Sequence, residues 1–204
     1  MAKHLTLFHT AQSHVARFET LRDRLAPGVS LTQHVRADWL ARAREGMLPE
    51  LLAEISATIG ETTGRRLCTC TTIGNVAEAA GALRIDRPMM ATAAQIGGNI
   101  ALAYCLESTV DGSTALLRDA IGETGATITP VFVPQAWPHF ERDDHAAFAD
   151  TIASAIREHI SHAPGTTVVA LAQASMDVAA PTLSDLPIPV LTTPQAAFLA
   201  AIAD

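Results

Sequence analysis

Two cysteines stand one residue apart in residues 65–75, RRLCTCTTIGN, where an apolar run gives way to small residues. Cys68 and Cys70 make a poor zinc motif, because structural zinc sites usually take paired ligands such as C-x2-C. They also differ from the C-x-x-C spacing of redox pairs. A single reactive thiol is the third interpretation, and Cys70 is its candidate because it lies between a predicted strand and a predicted helix. We expect no metal and no cofactor there.

The residues after Cys70 could tune its chemistry. Thr71 and Thr72 open the predicted helix, whose first N–H groups have no partner within the helix. Those groups and the helix dipole favour negative charge, either a thiolate or a substrate carboxylate. A lowered pKa would make the thiol a base or a nucleophile near neutral pH. The competing interpretation is a small buried cysteine at a strand end, and we favour that one for Cys68 and Cys105.

Alternating strand and helix patterns must position this thiol. Apolar runs predict strands at 5–10, 30–35, 65–70, 99–106, 128–134, 166–173 and 189–193, with residues 84–88 as a fourth strand end or a loop. Helical spacing predicts helices at 13–26, 37–46, 49–60, 75–83, 89–97, 109–123, 143–160, 175–183 and 194–204. Ser13 and Asp143 or Asp144 are the expected N-caps of two of these helices.

Several predicted strands are apolar on both faces, which is typical of a parallel sheet covered by helices. A weak repeat relates the halves: residues 5–23 and 101–119 both end in LRD, and LCTCTTIGNVAEAA is echoed by LAQASMDVAA. We therefore predict an α/β fold of two similar lobes, each with a short parallel sheet flanked by helices. The expected boundaries are 1–97 and 98–204, and the C-terminal helix at 194–204 could join the first lobe.

The composition of the chain indicates which binding partners and which cellular location to expect. The chain has 204 residues, 49% of them apolar, and a formal net charge of −7 with no basic cluster, which argues against nucleic-acid binding. Three cysteines and no signal-peptide pattern favour reduced thiols in the cytoplasm. The uncharged stretch between Arg87 and Glu107 contains Pro88 and Gly97-Gly98, so it predicts a helix, a turn and a strand rather than a membrane span. Apolar helices favour a homodimer or a higher homo-oligomer.

The strand-Cys-Thr-Thr-helix segment, its echo in the second half and the duplicated plan resemble the aspartate/glutamate/hydantoin racemase superfamily, which includes maleate isomerase and arylmalonate decarboxylase. The resemblance implies two lobes related by a pseudo-twofold axis, with the site between them. It also implies a cofactor-independent enzyme in which two cysteines, one from each half, face each other across a small carboxylate substrate. One cysteine takes a proton from the α-carbon and the other delivers one to the opposite face.

The resemblance also suggests roles for individual residues. Cys70 matches the first cysteine, and Gln173 falls on the second one. The resemblance gives further residues that would face the substrate: His9, Thr10, Thr71, Thr72 and Thr109. It also includes the residues that follow Gln173, namely Ala174, Ser175 and Met176. Arg87, after a predicted strand end, would either clamp a second carboxylate or pair with Asp86.

Gln173 departs from the superfamily pattern, because an amide cannot exchange a proton near neutral pH. The leading expectation is a racemase or isomerase that acts beside the carboxylate of an amino acid or dicarboxylate through one thiol, Cys70. One thiol also suits a decarboxylase, with Gln173 and Ser175 donating hydrogen bonds to an oxyanion. A histidine, His9, His14 or His34, could instead serve the second face.

Two further alternatives stay open. The protein could bind a carboxylate without any chemistry, since Gln173 replaces the second thiol. It could also be a metal-dependent hydrolase that uses His9, His14, His34 and Asp86.

Overall fold

A computed structural model describes residues 3–203 of the chain. Its strands are β1 His4–His9, β2 Ser30–Val35, β3 Arg65–Cys68, β4 Leu83–Arg84, β5 Asn99–Tyr104, β6 Thr127–Phe132, β7 Thr166–Leu171 and β8 Val190–Leu191. Its α-helices are α1 Ser13–Leu25, α2 Ala37–Glu45, α3 Pro49–Gly60, α4 Gly74–Ala79, α5 Arg87–Ile96, α6 Val110–Ile121, α7 Trp137–Glu141, α8 His145–His162 and α9 Pro194–Ile202. Short 3₁₀ turns cover Glu107–Thr109, Pro134–Ala136, Ala174–Ala179 and Pro181–Leu183.

The strands form two four-stranded sheets with the same topology. The first has the order β2-β1-β3-β4 and the second the order β6-β5-β7-β8. Every pairing is parallel. The predicted α/β fold, with two similar sheets flanked by helices, is therefore confirmed, and the faint sequence repeat corresponds to a repeated strand order.

The chain divides into two compact units. The first contains the residues up to Arg87 together with those from Pro194 onward, and the second is Pro88–Thr193. The C-terminal helix α9 packs in the first unit, where the rings of Phe18 and Phe198 lie 6.4 Å apart. The Nη1 group of Arg65 in β3 also donates to the carbonyl oxygen of Ala201, at 3.1 Å.

Side chains alternate across the first sheet, so each strand contributes to two different cores. On one face, Phe8 and Cys68 join Cys70 and Ile73 in a cluster that also contains Trp39 and other residues of α2 and α3. On the opposite face, buried Leu5 and Leu7 of β1 alternate with these residues and lie on the side of α1. The end of β1 can therefore place neighbouring side chains in two separate environments.

The second unit has its core between its sheet and the pair α5 and α6. Met89, Met90, Ile100, Leu102 and Leu117 are among its buried members. The uncharged stretch forms a helix, a turn at two glycines with positive φ and a strand, as predicted. Within residues 3–203, no helix is both long and apolar enough to cross a membrane.

Asp144 caps α8 as expected, accepting from the Ala147 N–H at 3.0 Å. The helices differ from prediction in three other places. Ser13, in contrast, is the first residue of α1, and Gln12 occupies the cap position without a side-chain bond. The single helix predicted at 175–183 is two 3₁₀ turns, because Pro181, which has no N–H, begins the second. Helix α7 was not predicted.

Candidate active site

Cys70 lies two residues beyond the end of β3, immediately before the turn that leads into α4. Its side chain is 7% exposed. Four neighbouring donor groups lower the pKa of its thiol: the hydroxyl groups of Thr10 and Thr72 and the backbone N–H groups of Thr72 and Ile73. The turn itself is closed by the Gly74 N–H, which donates to the carbonyl oxygen of Thr71 at 3.1 Å. The sequence therefore brings Cys70 together with three of the expected residues, Thr10, Thr71 and Thr72.

The electrostatics of Cys70 differ from the prediction. Burial raises the pKa of the Cys70 thiol, and the four hydrogen bonds lower it by less, so the net shift is upward. The predicted lowering is wrong because desolvation of the charged form outweighs the donors. The resting sulfur is a neutral thiol whose thiolate, once formed, already has its donors in place.

The other cysteines are core residues, as predicted. Burial raises the pKa of Cys68, and it raises the pKa of Cys105 to about 12. All three cysteines are free and buried. Within the described part of the chain, no group of three or more His, Cys, Asp or Glu side chains could hold a metal ion, so His9, His14, His34 and Asp86 do not form the cluster that a metal hydrolase would need.

His9 lies on the opposite face of the sheet from Cys70. Its ring packs against Phe18 of α1 at 5.5 Å, and its nitrogens contact the Thr69 hydroxyl at 2.8 Å and the Gln33 Oε1 at 2.9 Å. Burial lowers the pKa of His9 to about 4, so the ring is neutral at pH 7. The alternation along β1 sends Thr10, rather than His9, to the thiol.

The two other candidate histidines are also occupied elsewhere. His14 is buried on α1, where desolvation and the positive charge of Arg17 hold its pKa well below the usual value. His34 is exposed, and its ring stacks on Phe8 at 5.2 Å. These positions do not supply a proton donor beside Cys70.

Arg87 does not pair with Asp86. Its guanidinium makes a two-pronged contact with Glu78 of α4, with Nη2 donating to Oε2 at 2.6 Å. The partner of Asp86 is Arg84, at 2.7 Å, and both of these side chains are buried. Arg87 is thus part of a local ion pair with Glu78, and the buried pair is formed instead by Arg84, the last residue of β4, with Asp86.

Gln173 lies two residues beyond the end of β7 in the second unit. Its Oε1 accepts from the backbone N–H of Cys105 at 2.5 Å and from that of Leu106 at 3.2 Å. Because both partners are donors, the amide orientation is fixed with its oxygen toward β5. Its NH₂ group therefore points away from these backbone groups and keeps its two donors for another acceptor.

Hydroxyl groups gather at the same edge of the second sheet. Thr109 and Ser113, which follow β5, are buried, and neither hydroxyl has a hydrogen-bond partner. Ser175 is also buried, in the 3₁₀ turn that follows Gln173 together with Ala174 and Met176. Ser113 was missed by sequence reasoning, although its position four residues after Thr109 places both on one face of a helix.

Comparisons with known proteins place this geometry in context. No protein-family model and no curated protein matches the sequence. Solved structures do match. An aspartate racemase from Picrophilus torridus aligns with a TM-score of 0.72 and 17% identity, covering 98% of this chain and 93% of that one. A glutamate racemase from Francisella tularensis, solved with D-glutamate, aligns with a TM-score of 0.71 and 9% identity, covering 98% and 79%. The chain therefore shares the fold of these racemases.

This racemase fold also accommodates other chemistry. A variant of arylmalonate decarboxylase aligns with a TM-score of 0.56 and 13% identity, covering 98% of this chain and 91% of that one. Within the racemase fold of this chain, Cys70 follows β3 and Gln173 follows β7, which hold the same place in the two sheet orders. The two units therefore present a thiol and an amide at corresponding points.

Proposed function

We propose that this protein is a cofactor-independent isomerase or racemase-type enzyme that moves a proton at the carbon next to the carboxylate of a small acid. The substrate class is an amino acid or a dicarboxylate, and Cys70 is the essential thiol. The observation that carries the proposal is the set of four hydrogen-bond donors on the Cys70 sulfur. Donors arranged in this way stabilise a thiolate at the moment it forms.

Cys70 is suited to act first as an acid. Because burial keeps the thiol neutral at rest, it can give its proton to an enediolate carbon, and the waiting donors then receive the negative charge. Thr71 and Thr72, in the same turn, are the proposed contacts for the substrate carboxylate. In a racemisation Cys70 must first lose its proton to water; the thiolate then takes the α-proton of one enantiomer to give the enediolate, and water returns a proton to the opposite face.

Gln173 is a further residue with a proposed role in binding the substrate. With its oxygen held by two backbone N–H groups, its NH₂ donors can bind a carboxylate or enediolate oxygen. Thr109 and Ser175 would add hydroxyl groups to that set. The proposed role is charge stabilisation, since an amide does not exchange a proton at neutral pH.

Decarboxylation is the second candidate, favoured by the neutral thiol and the missing second acid. In a substituted malonate, the bond from the α-carbon to one carboxylate breaks, and CO₂ leaves. The electron pair passes into the remaining carboxylate as an enediolate, and Cys70 then protonates the α-carbon from one face. The thiolate regains its proton from water, so the reaction needs no oxidant or reductant.

Turnover in deuterated water tests both candidates. Aspartate, glutamate, maleate and disubstituted malonates would be incubated singly with the protein and followed by NMR and chiral chromatography. An isomerase or racemase incorporates deuterium at the α-carbon of an amino acid, or converts maleate to fumarate. A decarboxylase releases CO₂ and yields one enantiomer of an α-deuterated acid.

The thiol requirement needs a matched control. Cys70→Ser should lower turnover about a thousandfold, the order expected for loss of a general acid, whereas Cys105→Ala should retain it. Full turnover by Cys70→Ser would refute the proposed mechanism. Binding of these acids by calorimetry, with neither exchange nor turnover for any of them, would instead identify a carboxylate-binding protein.

A further inference from the structure

A buried ion pair lies beside the turn that holds Cys70. Arg84 of β4 is 2% exposed and Asp86 is fully buried. The Arg84 guanidinium donates two parallel hydrogen bonds to the Asp86 carboxylate, from Nε to Oδ1 at 2.9 Å and from Nη2 to Oδ2 at 2.7 Å. This planar, two-pronged geometry is specific to arginine.

Stability alone gives a weak reason for this pair. Removing two charges from water costs several kcal/mol per ion, and apolar replacements of buried ion pairs are often neutral or stabilising. The remaining contacts of the guanidinium are therefore informative. Two of them are directed at the start of α4.

Two contacts connect Arg84 to that helix start. Its Nη1 donates to the Oδ1 of Asn75. Its guanidinium also packs directly against Gly74, where a Cβ atom would lie only 3.0 Å from Nε and 3.2 Å from Cζ. Gly74 is required here by close approach, because its φ is not in the left-handed region.

These contacts are adjacent in sequence to the thiol's donors. Gly74 and Asn75 follow Thr72 and Ile73, whose N–H groups donate to Cys70. Strand β4 has only two residues, and it is fixed beside Cys68, whose carbonyl oxygen accepts from the Ile85 N–H at 3.0 Å. Arg84 thus connects a short edge strand to the turn.

We propose that Arg84, held by Asp86, is a positioning residue that fixes the turn at residues 71–75 so that its N–H groups stay on the Cys70 sulfur. Its functional meaning rests on the proposed role of Cys70. Arg84 acts through shape and hydrogen bonds: its flat guanidinium supports Gly74 and its fork binds Asp86 and Asn75 together.

Alkylation of the three thiols tests this without any substrate. The protein would be treated with iodoacetamide at pH 8, and modification of Cys68, Cys70 and Cys105 would be timed separately by peptide mass spectrometry. In Arg84→Met/Asp86→Leu, which removes both charges together, the freed turn should expose the sulfur. We expect Cys70 to react roughly fivefold faster, because local opening of its buried site outweighs the weaker ionisation caused by loss of the turn's N–H donors, while the other two thiols keep their rates.

Two single substitutions test the geometry independently of the charge pair. Gly74→Ala forces a Cβ against the guanidinium and should accelerate Cys70 as well, whereas Gly60→Ala, whose Cβ meets nothing within 4 Å, should not. Arg84→Lys keeps the charge but lacks the planar fork, and we expect it to behave like the double variant. Asn75→Ala, at an exposed position, provides the same test if the double variant does not fold.

Three results would overturn the proposal: an unchanged Cys70 rate in all variants, equal acceleration of all three thiols, or a normal Cys70 rate in Arg84→Lys. Equal acceleration would mean global destabilisation, and a normal rate with lysine would mean that charge alone suffices. Failure of the proposed function appears separately, as absence of turnover in the wild-type protein. Selective release of Cys70 would stand even then.

Discussion

The two units share one strand order but differ in chemistry at the same point of it. After β3 the first unit places Cys70, a thiol with four donors. After β7 the second unit places Gln173, an amide whose oxygen is already bound by two backbone N–H groups. A repeated backbone plan therefore fixes where a side chain emerges, while the residue at that point decides whether it can exchange a proton.

Titratable groups are distributed just as unevenly. The first unit buries two histidines, His9 and His14, both held neutral by desolvation. The histidines of the second unit, His139, His145, His159 and His162, are all at least partly exposed. The first unit should therefore respond to acid more strongly than the second.

The largest expected effect is acid destabilisation through His9. Its pKa is about 4 in the folded protein, compared with 6.5 for an unperturbed ring, so the unfolded chain takes up the proton first. The stability that neutral His9 contributes is present above pH 6.5 and is lost as the pH falls toward 4. That difference corresponds to about 3 kcal/mol in the free energy of unfolding.

Urea denaturation between pH 4 and pH 7 measures this effect. His9→Gln, which can still contact Gln33, should reduce the slope of unfolding free energy against pH by about one proton. The exposed His162→Gln in the second unit is the control and should leave the slope unchanged. Equal slopes for wild type and His9→Gln would show that His9 is not the group that makes stability depend on pH in this range.

The sequence was a good guide to elements whose signal is local. Apolar runs located seven of the eight strands to within a few residues, whereas the segment beside β4 was left as a strand end or a loop. Asp144 was one of two adjacent cap candidates, because the capping bond joins residues three apart. The exchange of Cys70 for Gln173 was visible because the repeat kept the strand ends in phase. Periodicity and short spacings carry this information directly.

Prediction from the sequence failed where contacts between residues far apart in the chain determine the surroundings of a side chain. It did not show that His9 turns toward Phe18 while Thr10 turns toward Cys70, because this depends on which sheet face each helix covers. It also assigned Asp86 to Arg87, its chain neighbour, rather than to Arg84. The pKa direction of Cys70 was wrong for the same reason, since burial is a property of the packed fold.

The next largest effect concerns Gln173, where the second unit should lose stability and not only activity. Gln173→Ala leaves the N–H groups of Cys105 and Leu106 without their acceptor, which should lower the unfolding free energy by about 2 kcal/mol. Gln173→Glu retains an acceptor oxygen and should lose less. Cys70→Ala, the counterpart in the first unit, should remove turnover at a smaller cost in stability.

Chemical denaturation of these three variants tests whether the two positions really differ. If Gln173→Ala is as stable as wild type, the amide does not stabilise the segment that follows β5, and its proposed role would be limited to binding the substrate. A larger stability loss for Cys70→Ala than for Gln173→Ala would reverse the comparison.

A smaller effect concerns the alkylation rate of Cys70, the thiol of the first unit. Thr10→Val removes a hydroxyl donor from the Cys70 sulfur without changing the side-chain shape, so the pKa of Cys70 should rise further. We expect iodoacetamide to modify Cys70 roughly tenfold more slowly at pH 8, the order of one hydrogen bond to a charged group. Thr6→Val, also buried on β1, is the matched control, and an equal slowing in both variants would argue against a specific donor.

The smallest expected effect is a gain in stability, at Thr109 in the second unit. The Thr109 hydroxyl is buried without a partner, so Thr109→Val should raise the unfolding free energy by about 1 kcal/mol by removing an unsatisfied polar group of the same shape. Thr109→Ser retains the hydroxyl but removes a methyl group, and it should be less stable than wild type. If Thr109 binds the substrate as proposed, Thr109→Val should also lower turnover, so that stability and activity move in opposite directions. A variant that is both less stable and fully active would mean that this hydroxyl is satisfied in the resting fold and that the edge of the second unit does not hold a donor for the substrate there.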